Sequence, residues 1–238
     1  MPEARKIVSI GRVDNAMKKY VHQLPGITAN LRRKGFDVTC DIYGHGDTGA
    51  VEELYAVIRQ YGTQEGVTFH GGAEYSRFHE VLCDCFVFVG MGASAIEAAM
   101  FGIPTVTAVA FCERPISYGY LYELPLGAVG EDLEQDGARD IEAMIAELCK
   151  STDSEYIEMC KRHIEYAKHY DQDTLCLEML SYFEERLRSF YRDFKMPLWR
   201  VLEINVVRGF KYVMRRTFHM RSILKKGQTI PNRNDNFS

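Results

Sequence analysis

The 238-residue chain is 46% hydrophobic and 26% charged with a formal net charge of −4, the balance of an ordinary folded domain rather than a fibrous, low-complexity or disordered one. No run approaches the roughly 18 apolar residues that a membrane-spanning helix needs, and the polar opening MPEARKIVSIGR carries no signal-peptide pattern. The length allows one full domain with an appendage, or two small domains.

The elements then read in chain order. Lys6–Ile10 (KIVSI) is a buried strand ending at Gly11, and residues 18–34 form a helix whose start Pro25-Gly26 obscures. Val38–Tyr43 is a second strand, ending at Gly44-His45-Gly46. Val51–Tyr61 is a helix with apolar positions 51, 54, 57, 58 and 61, and Gly66–Phe69 begins a third strand. A short helix near 75–82 precedes the strand CFVFV at 85–89, followed by a helix over 93–101, a strand over 104–109 and a helix over 139–149. Strands alternating with helices, with glycine turns after the strands, predict a Rossmann-like α/β fold built on a doubly wound parallel sheet. Strands that are apolar throughout fit a sheet covered on both faces.

After about residue 150 strand signals stop. Residues 154–169 and 172–194 read as helices, and Pro197 opens a third. In it Leu198, Val201, Leu202, Val206, Phe210, Val213 and Thr217 share one stripe, largely opposite Arg200, Arg208, Lys211 and Arg215. The expected organisation is a nucleotide-binding domain at 1–150, a basic helical extension at 151–226 and a disordered end at 227–238. Charge divides the chain in the same sense: residues 1–185 hold 16 Lys/Arg against 30 Asp/Glu, whereas residues 186–226 hold 12 against 2. Such asymmetry points to an anionic surface or an acidic partner domain for the tail. The seven cysteines (Cys40, Cys83, Cys85, Cys112, Cys149, Cys160 and Cys176) are scattered and form no C-x-x-C pair. That pattern fits reduced structural thiols in the cytoplasm and no zinc site.

Two constellations carry most of the chemistry. In GMGASAIEAAMFGIPTV (90–106), small residues lead from a strand into a helix, which sets the amides of Gly92, Ala93 and Ser94 at a helix N-terminus, a site for phosphate oxygens. Glu97 fits a capping box with Ser94 as well as it fits a carboxylate taking hydrogen bonds from ribose hydroxyls; spacing does not separate the two. In SIGRVDNAMKK (9–19), Arg12 follows Gly11 at the end of the first strand, with Lys18 and Lys19 close behind. Ligands of doubly wound sheets bind at the strand C-termini, where such cations would neutralise a diphosphate; as a lone pair, the lysines read equally as solvated charge. YGHGD (43–47) and FHGG (69–72) are further post-strand turns, each weak alone, since a single His45 or His70 in a loop is commonly a surface residue.

In this order, SIGRVD, DIYGHGD, VTFHGG, CFVFV and GMGASAIEAAMFGIPTV resemble the C-terminal, donor-binding domain of GT-B-fold, family-4-type retaining glycosyltransferases over residues 5–150. The resemblance implies transfer of a sugar from a nucleotide-diphosphate sugar to an acceptor, lipid-linked in some relatives, in cell-surface polysaccharide or glycolipid biosynthesis. It implies Arg12 and Lys18 as the catalytic cations on the diphosphate. Around the donor it implies Gly11, Lys19, Gly44, His70, Gly71, Gly92, Ala93, Ser94 and Glu97, the last on the ribose, with the Phe69–Gly72 turn near the base. No metal and no cofactor beyond the donor substrate is expected.

Two departures stand out. The family's glutamate pair is eight apart, and eight before Glu97 is Val89. The acceptor-binding domain is also missing, so the chain reads as a fragment or as one subunit of a split transferase. The competing expectations are a non-catalytic donor-binding subunit and a nucleotide-sugar epimerase. For 186–226 they are a brace to the missing domain, a helix pair on this one, or an anionic inner membrane face met through Trp199, Phe210, Tyr212 and Phe218. Nucleic acid is not an expected partner.

Overall fold

The computed structural model describes residues 2, 4–134, 136–171 and 179–186. The strands are β1 (Arg5–Ile10), β2 (Val38–Tyr43), β3 (Val67–Phe69), β4 (Cys85–Gly90), β5 (Thr105–Ala108), β6 (Ile116–Tyr120) and β7 (Arg139–Asp140). The helices are α1 (Tyr20–Arg33), α2 (Thr48–Gln60), α3 (Phe78–Leu82), α4 (Ala93–Met100), α5 (Ile141–Leu148) and α6 (Asp153–Ala167). They build one seven-stranded sheet in the order β3-β2-β1-β4-β5-β6-β7. Strand order reverses between β1 and β4, the point at which an open α/β sheet leaves a crevice.

Every residue of β4 is buried, as its unbroken apolar run requires at the centre of a two-faced sheet. One face packs Ile7, Cys40, Ile42 and Val106 against Leu24, Leu31, Leu54 and Met144 of the helices. The other packs Val8, Ile10 and Phe88 against Leu82, Ala95 and Ala98.

Three sequence expectations shift. Helix α1 runs through Pro25 and Gly26, both buried: the missing Pro25 amide is offset by packing, and Gly26 leaves room for the Tyr61 ring, 2.9 Å from where a Cβ would stand. Helix α2 starts at Thr48 rather than Val51, because the Asp47 carboxylate accepts the Ala50 amide at 2.8 Å and fixes the first turn. The sheet is parallel only through β5; β6 and β7 add antiparallel at that edge. ISYGY (116–120) is short and interrupted by glycine, so its strand character comes from pairing with β5 and not from its own pattern.

The first compact unit extends beyond 150, from Met1 to Cys176. Helix α6 is capped by a Thr152/Glu155 box and packs on α4. Its Tyr156 stacks on Phe86 and donates to the Phe86 carbonyl at 2.8 Å. In the second unit, Leu177–Ser238, residues 179–186 are helical. The helix opening at Pro197, its charged stripe and the 227–238 end lie outside the described residues, as does most of 172–194.

His163 ties α6 to the sheet. Its Nε2 accepts the Thr105 amide at 2.9 Å, which leaves Nδ1 to donate to the Met159 carbonyl at 2.8 Å. Acceptance at Nε2 needs the neutral ring, and burial lowers its pKa to about 4. The unfolded chain, with a pKa near 6.5, takes up a proton that the native state refuses. Stability is therefore whole above about pH 6.5 and falls as pH drops toward 4, by about 3 kcal/mol in all. Urea titrations at pH 7 and pH 4 should show this loss in the wild type and a smaller one in His163→Gln. Equal losses would mean that His163 titrates normally when folded.

Candidate functional site

At the C-terminal edge of the sheet the first three post-strand loops continue the pairing of their strands. The Gly11 amide donates to the Tyr43 carbonyl (2.9 Å), Val13 to His45 (2.9 Å), His70 to Ile42 (2.9 Å) and Gly44 to Gly71 (2.7 Å). The Gly44 backbone comes so close to Gly11 that a Cβ would stand 1.7 Å from the Gly11 carbonyl oxygen. Gly11, Gly44 and Gly71 thus share a structural duty: they let three loops lie edge to edge as a floor.

On that floor Lys18 folds back over Gly11, its Nζ 2.6 Å from where a Gly11 Cβ would stand. Asp14 shapes the turn that returns it, accepting the Ala16 and Met17 amides at 2.8 and 2.6 Å. Those bonds, the Met17 amide foremost, hold the Asp14 carboxyl below its usual range. Lys18 is half-buried, and its pKa is lowered first by that burial and then by the Arg12 guanidinium nearby. Two cations held close together at the cost of mutual repulsion make a place for an anion.

Helix α4 begins beside them. Val8 pairs with Phe88, and continuing this parallel register three residues sets Gly11 level with Met91. Gly92 is the N-cap, with φ +68°, and no side chain caps the helix. Helix geometry leaves the Ala93 and Ser94 amides without intrahelical acceptors. The Ser94 hydroxyl donates to the Met91 carbonyl at 3.2 Å. With Gly92 as N-cap, Ser94 is not the head of a capping box, so the box reading of Glu97 falls; Glu97 lies half-buried in the second turn.

Three expected contributions are placed differently. The Gly92 amide is taken by the Val129 carbonyl at 2.6 Å and cannot serve a ligand. Lys19 is turned aside into an ion pair with Glu113. His70 stacks on Tyr43 with centroids 4.4 Å apart, and its Nε2 lies 3.1 Å from Asp41 Oδ1. With Tyr43, Gly72, Glu74, Arg77 and Glu80 it lines a cleft of about 460 Å³ beside the Gly71 turn. Val89, eight before Glu97, is 0% exposed inside β4 and belongs to the core.

The segments that fill out this edge went unnoticed in the sequence. The Phe111 amide donates to the Met17 carbonyl (2.8 Å) and the Ala110 amide to the Gly130 carbonyl (2.8 Å). With Met91 they bound a second cleft of about 760 Å³, lined also by Glu113, Arg114, Glu131 and Asp132. Acidic residues such as Glu131 and Asp132 read as solvated loop until the fold lays them in one cleft with Met91.

The sequence of residues 2–116 matches the model of the family described as glycosyl transferases group 1. Solved structures match the fold of the chain at low identity. TarM of S. aureus, solved with UDP, is 17% identical with a TM-score of 0.53, over 75% of this chain and 35% of TarM. HepE of Anabaena, solved with UDP-glucose, is 17% identical with a TM-score of 0.54, over 79% of this chain and 49% of HepE. The C-terminal domain of the group 1 protein LpcC from Francisella tularensis is 15% identical with a TM-score of 0.50, over 71% of this chain and 86% of that domain. The chain thus spans a third to a half of the full-length transferases and matches most of an isolated C-terminal domain. No curated protein matches its sequence. Among the described residues, no helix is long and apolar enough to cross a membrane, and no group of three or more His, Cys, Asp or Glu is placed to hold a metal ion.

Proposed function

We propose that this chain is the donor-binding half of a retaining glycosyltransferase acting in cell-surface polysaccharide or glycolipid synthesis. One observation carries the reading: Arg12 and Lys18 stand at the end of β1, level with the uncapped N-terminus of α4 at the end of the adjacent β4. A nucleoside diphosphate laid across this edge meets cations from one side and the Ala93 and Ser94 amides from the other. As the bond from the anomeric carbon to the diphosphate breaks, negative charge grows on the leaving oxygens, and fixed donors aimed there stabilise the transition state more than the ground state. Glu97 takes the ribose hydroxyls and the Phe69–Gly72 turn lies at the base. Donor departure in this arrangement uses no metal and no further cofactor. The acceptor, lipid-linked in this reading, is held by a second half in the same or a partner chain. The basic segment 186–226 meets an anionic membrane on the cytoplasmic side.

A thermal-shift series against UDP-, GDP-, ADP- and CMP-sugars tests the donor site. A nucleoside-diphosphate sugar at about 100 times its Kd stabilises the native state by about 2.7 kcal/mol, a rise of several degrees. CMP-sugars, with one phosphate, should shift it less. The reading fails if no diphosphate sugar raises the melting temperature.

A further inference from the structure

The cleft of about 760 Å³ beside the phosphate cradle is lined by apolar Met17, Met91 and Phe111 and by charged Glu113, Arg114, Glu131 and Asp132. Phe111 is 67% exposed and is held at φ +59° by its bond to Met17. A pyranose offers complementary faces: C–H groups on one side of the ring, hydroxyl donors around its edge.

The three carboxylates are not equivalent. Glu113 is paired with Lys19. One oxygen of Asp132 takes both the Tyr118 hydroxyl and the Glu134 amide. Glu131 uses Oε2 for the Val129 amide of its own turn, at 2.6 Å, and Oε1 bonds to nothing among the described residues. The Glu131 backbone is also anchored to the cradle. Val129 accepts the Gly92 amide, Gly130 accepts the Ala110 amide, and a Cβ on Gly130 would stand 2.6 Å from Met91. Whatever is bound at the α4 N-terminus therefore lies next to Glu131, while the position eight before Glu97 is sealed in the core.

We propose that Glu131 is the carboxylate that reads the donor's sugar, accepting hydrogen bonds from its hydroxyls while the ring rests on Met91 and Phe111. The proposal rests on the donor-binding reading above and adds the group that distinguishes a nucleotide sugar from the bare nucleotide.

Calorimetric titration of the full chain tests it, using three pairs: UDP with UDP-glucose, UDP with UDP-N-acetylglucosamine, and GDP with GDP-mannose. Glu131→Gln keeps an amide oxygen for the Val129 amide, so the turn survives while the charge is lost. Hydrogen bonds to a charged group are worth roughly tenfold or more in affinity. For the pair that binds, Glu131→Gln should weaken the nucleotide sugar about tenfold relative to the nucleotide and leave the nucleotide itself unchanged. Asp136→Asn, an equal loss of charge in the same loop, should change neither. An unchanged ratio in every pair, or equal weakening of nucleotide and nucleotide sugar, overturns the role of Glu131. Absence of binding by any nucleotide to the wild type overturns the donor site itself, and this proposal with it.

Discussion

Replacing Arg12 by alanine is expected to lower turnover about a hundred- to a thousand-fold, equivalent to about 3–4 kcal/mol of transition-state stabilisation. Arg12 is exposed, so the folded structure should survive the change with its unfolding midpoint unmoved. The loss cannot be made good by Lys18. Removing Arg12 relieves the repulsion that lowers the Lys18 pKa, but an ammonium is a point charge and cannot replace the planar fork of the guanidinium. Arg12→Lys should fall between, because it keeps one positive charge and gives up the planar fork that can hold two phosphate oxygens. The measurement is kcat for sugar transfer in an assembly that includes the acceptor-binding half, alongside calorimetric binding of the nucleoside diphosphate. Near-wild-type turnover in Arg12→Ala would remove the guanidinium from the mechanism and with it the main reason for placing a diphosphate at this edge.

The second large effect is structural. Gly44→Ala sets a methyl carbon 1.7 Å from the Gly11 carbonyl oxygen, and the obstructing atom is backbone, not the free end of a side chain. Relief requires the first two loops to part. That strains or breaks the bonds from Gly11 to Tyr43, from Val13 to His45 and from Gly44 to Gly71, all at the floor of the site. We expect a loss of about 3 kcal/mol or more, roughly 6–12 °C in melting temperature, together with weakened nucleotide binding as Gly11 carries Arg12 out of place. Gly62→Ala is the informative contrast. Gly62, unlike Gly44, has positive φ (+63°), but nothing lies within 4 Å of its added Cβ, so only about 1–2 kcal/mol of backbone strain is expected and nucleotide binding should be intact. If Gly44→Ala proves no worse than Gly62→Ala, the loops are not packed as closely as their hydrogen bonds describe.

Much of the fold could be read directly. β2 spans Val38–Tyr43 as its pattern predicts, and β1, β4 and α4 fall within a residue of their expected ends, because their apolar runs are bounded by glycines that stop one element and start the next. Departures came where tertiary packing outweighs local preference. Proline and glycine inside α1 are bad for an isolated helix, yet both are buried there, Gly26 against the Tyr61 ring. The edge strands β6 and β7 exist because β5 would otherwise expose a row of unpaired backbone groups.

The site divides along the same line. The residue types and their order after successive strands were enough to bring Gly11, Arg12, Lys18, Gly44, Gly71, Ala93, Ser94 and Glu97 to one edge, since parallel strands must all end there. Spacing could not say which groups are spoken for. Only the folded chain commits the Gly92 amide to Val129, Lys19 to Glu113 and the His70 ring to Tyr43 and Asp41, because each of those partners is distant in sequence or on another strand. Only the fold buries position 89 and carries Glu131 from some 40 residues downstream to the mouth of the helix. Periodicity and turn chemistry are local properties, and a single sequence states them. A hydrogen bond between loops 94 residues apart, or an acidic turn clasped over a glycine-rich one, depends on the three-dimensional register of the sheet and is decided there.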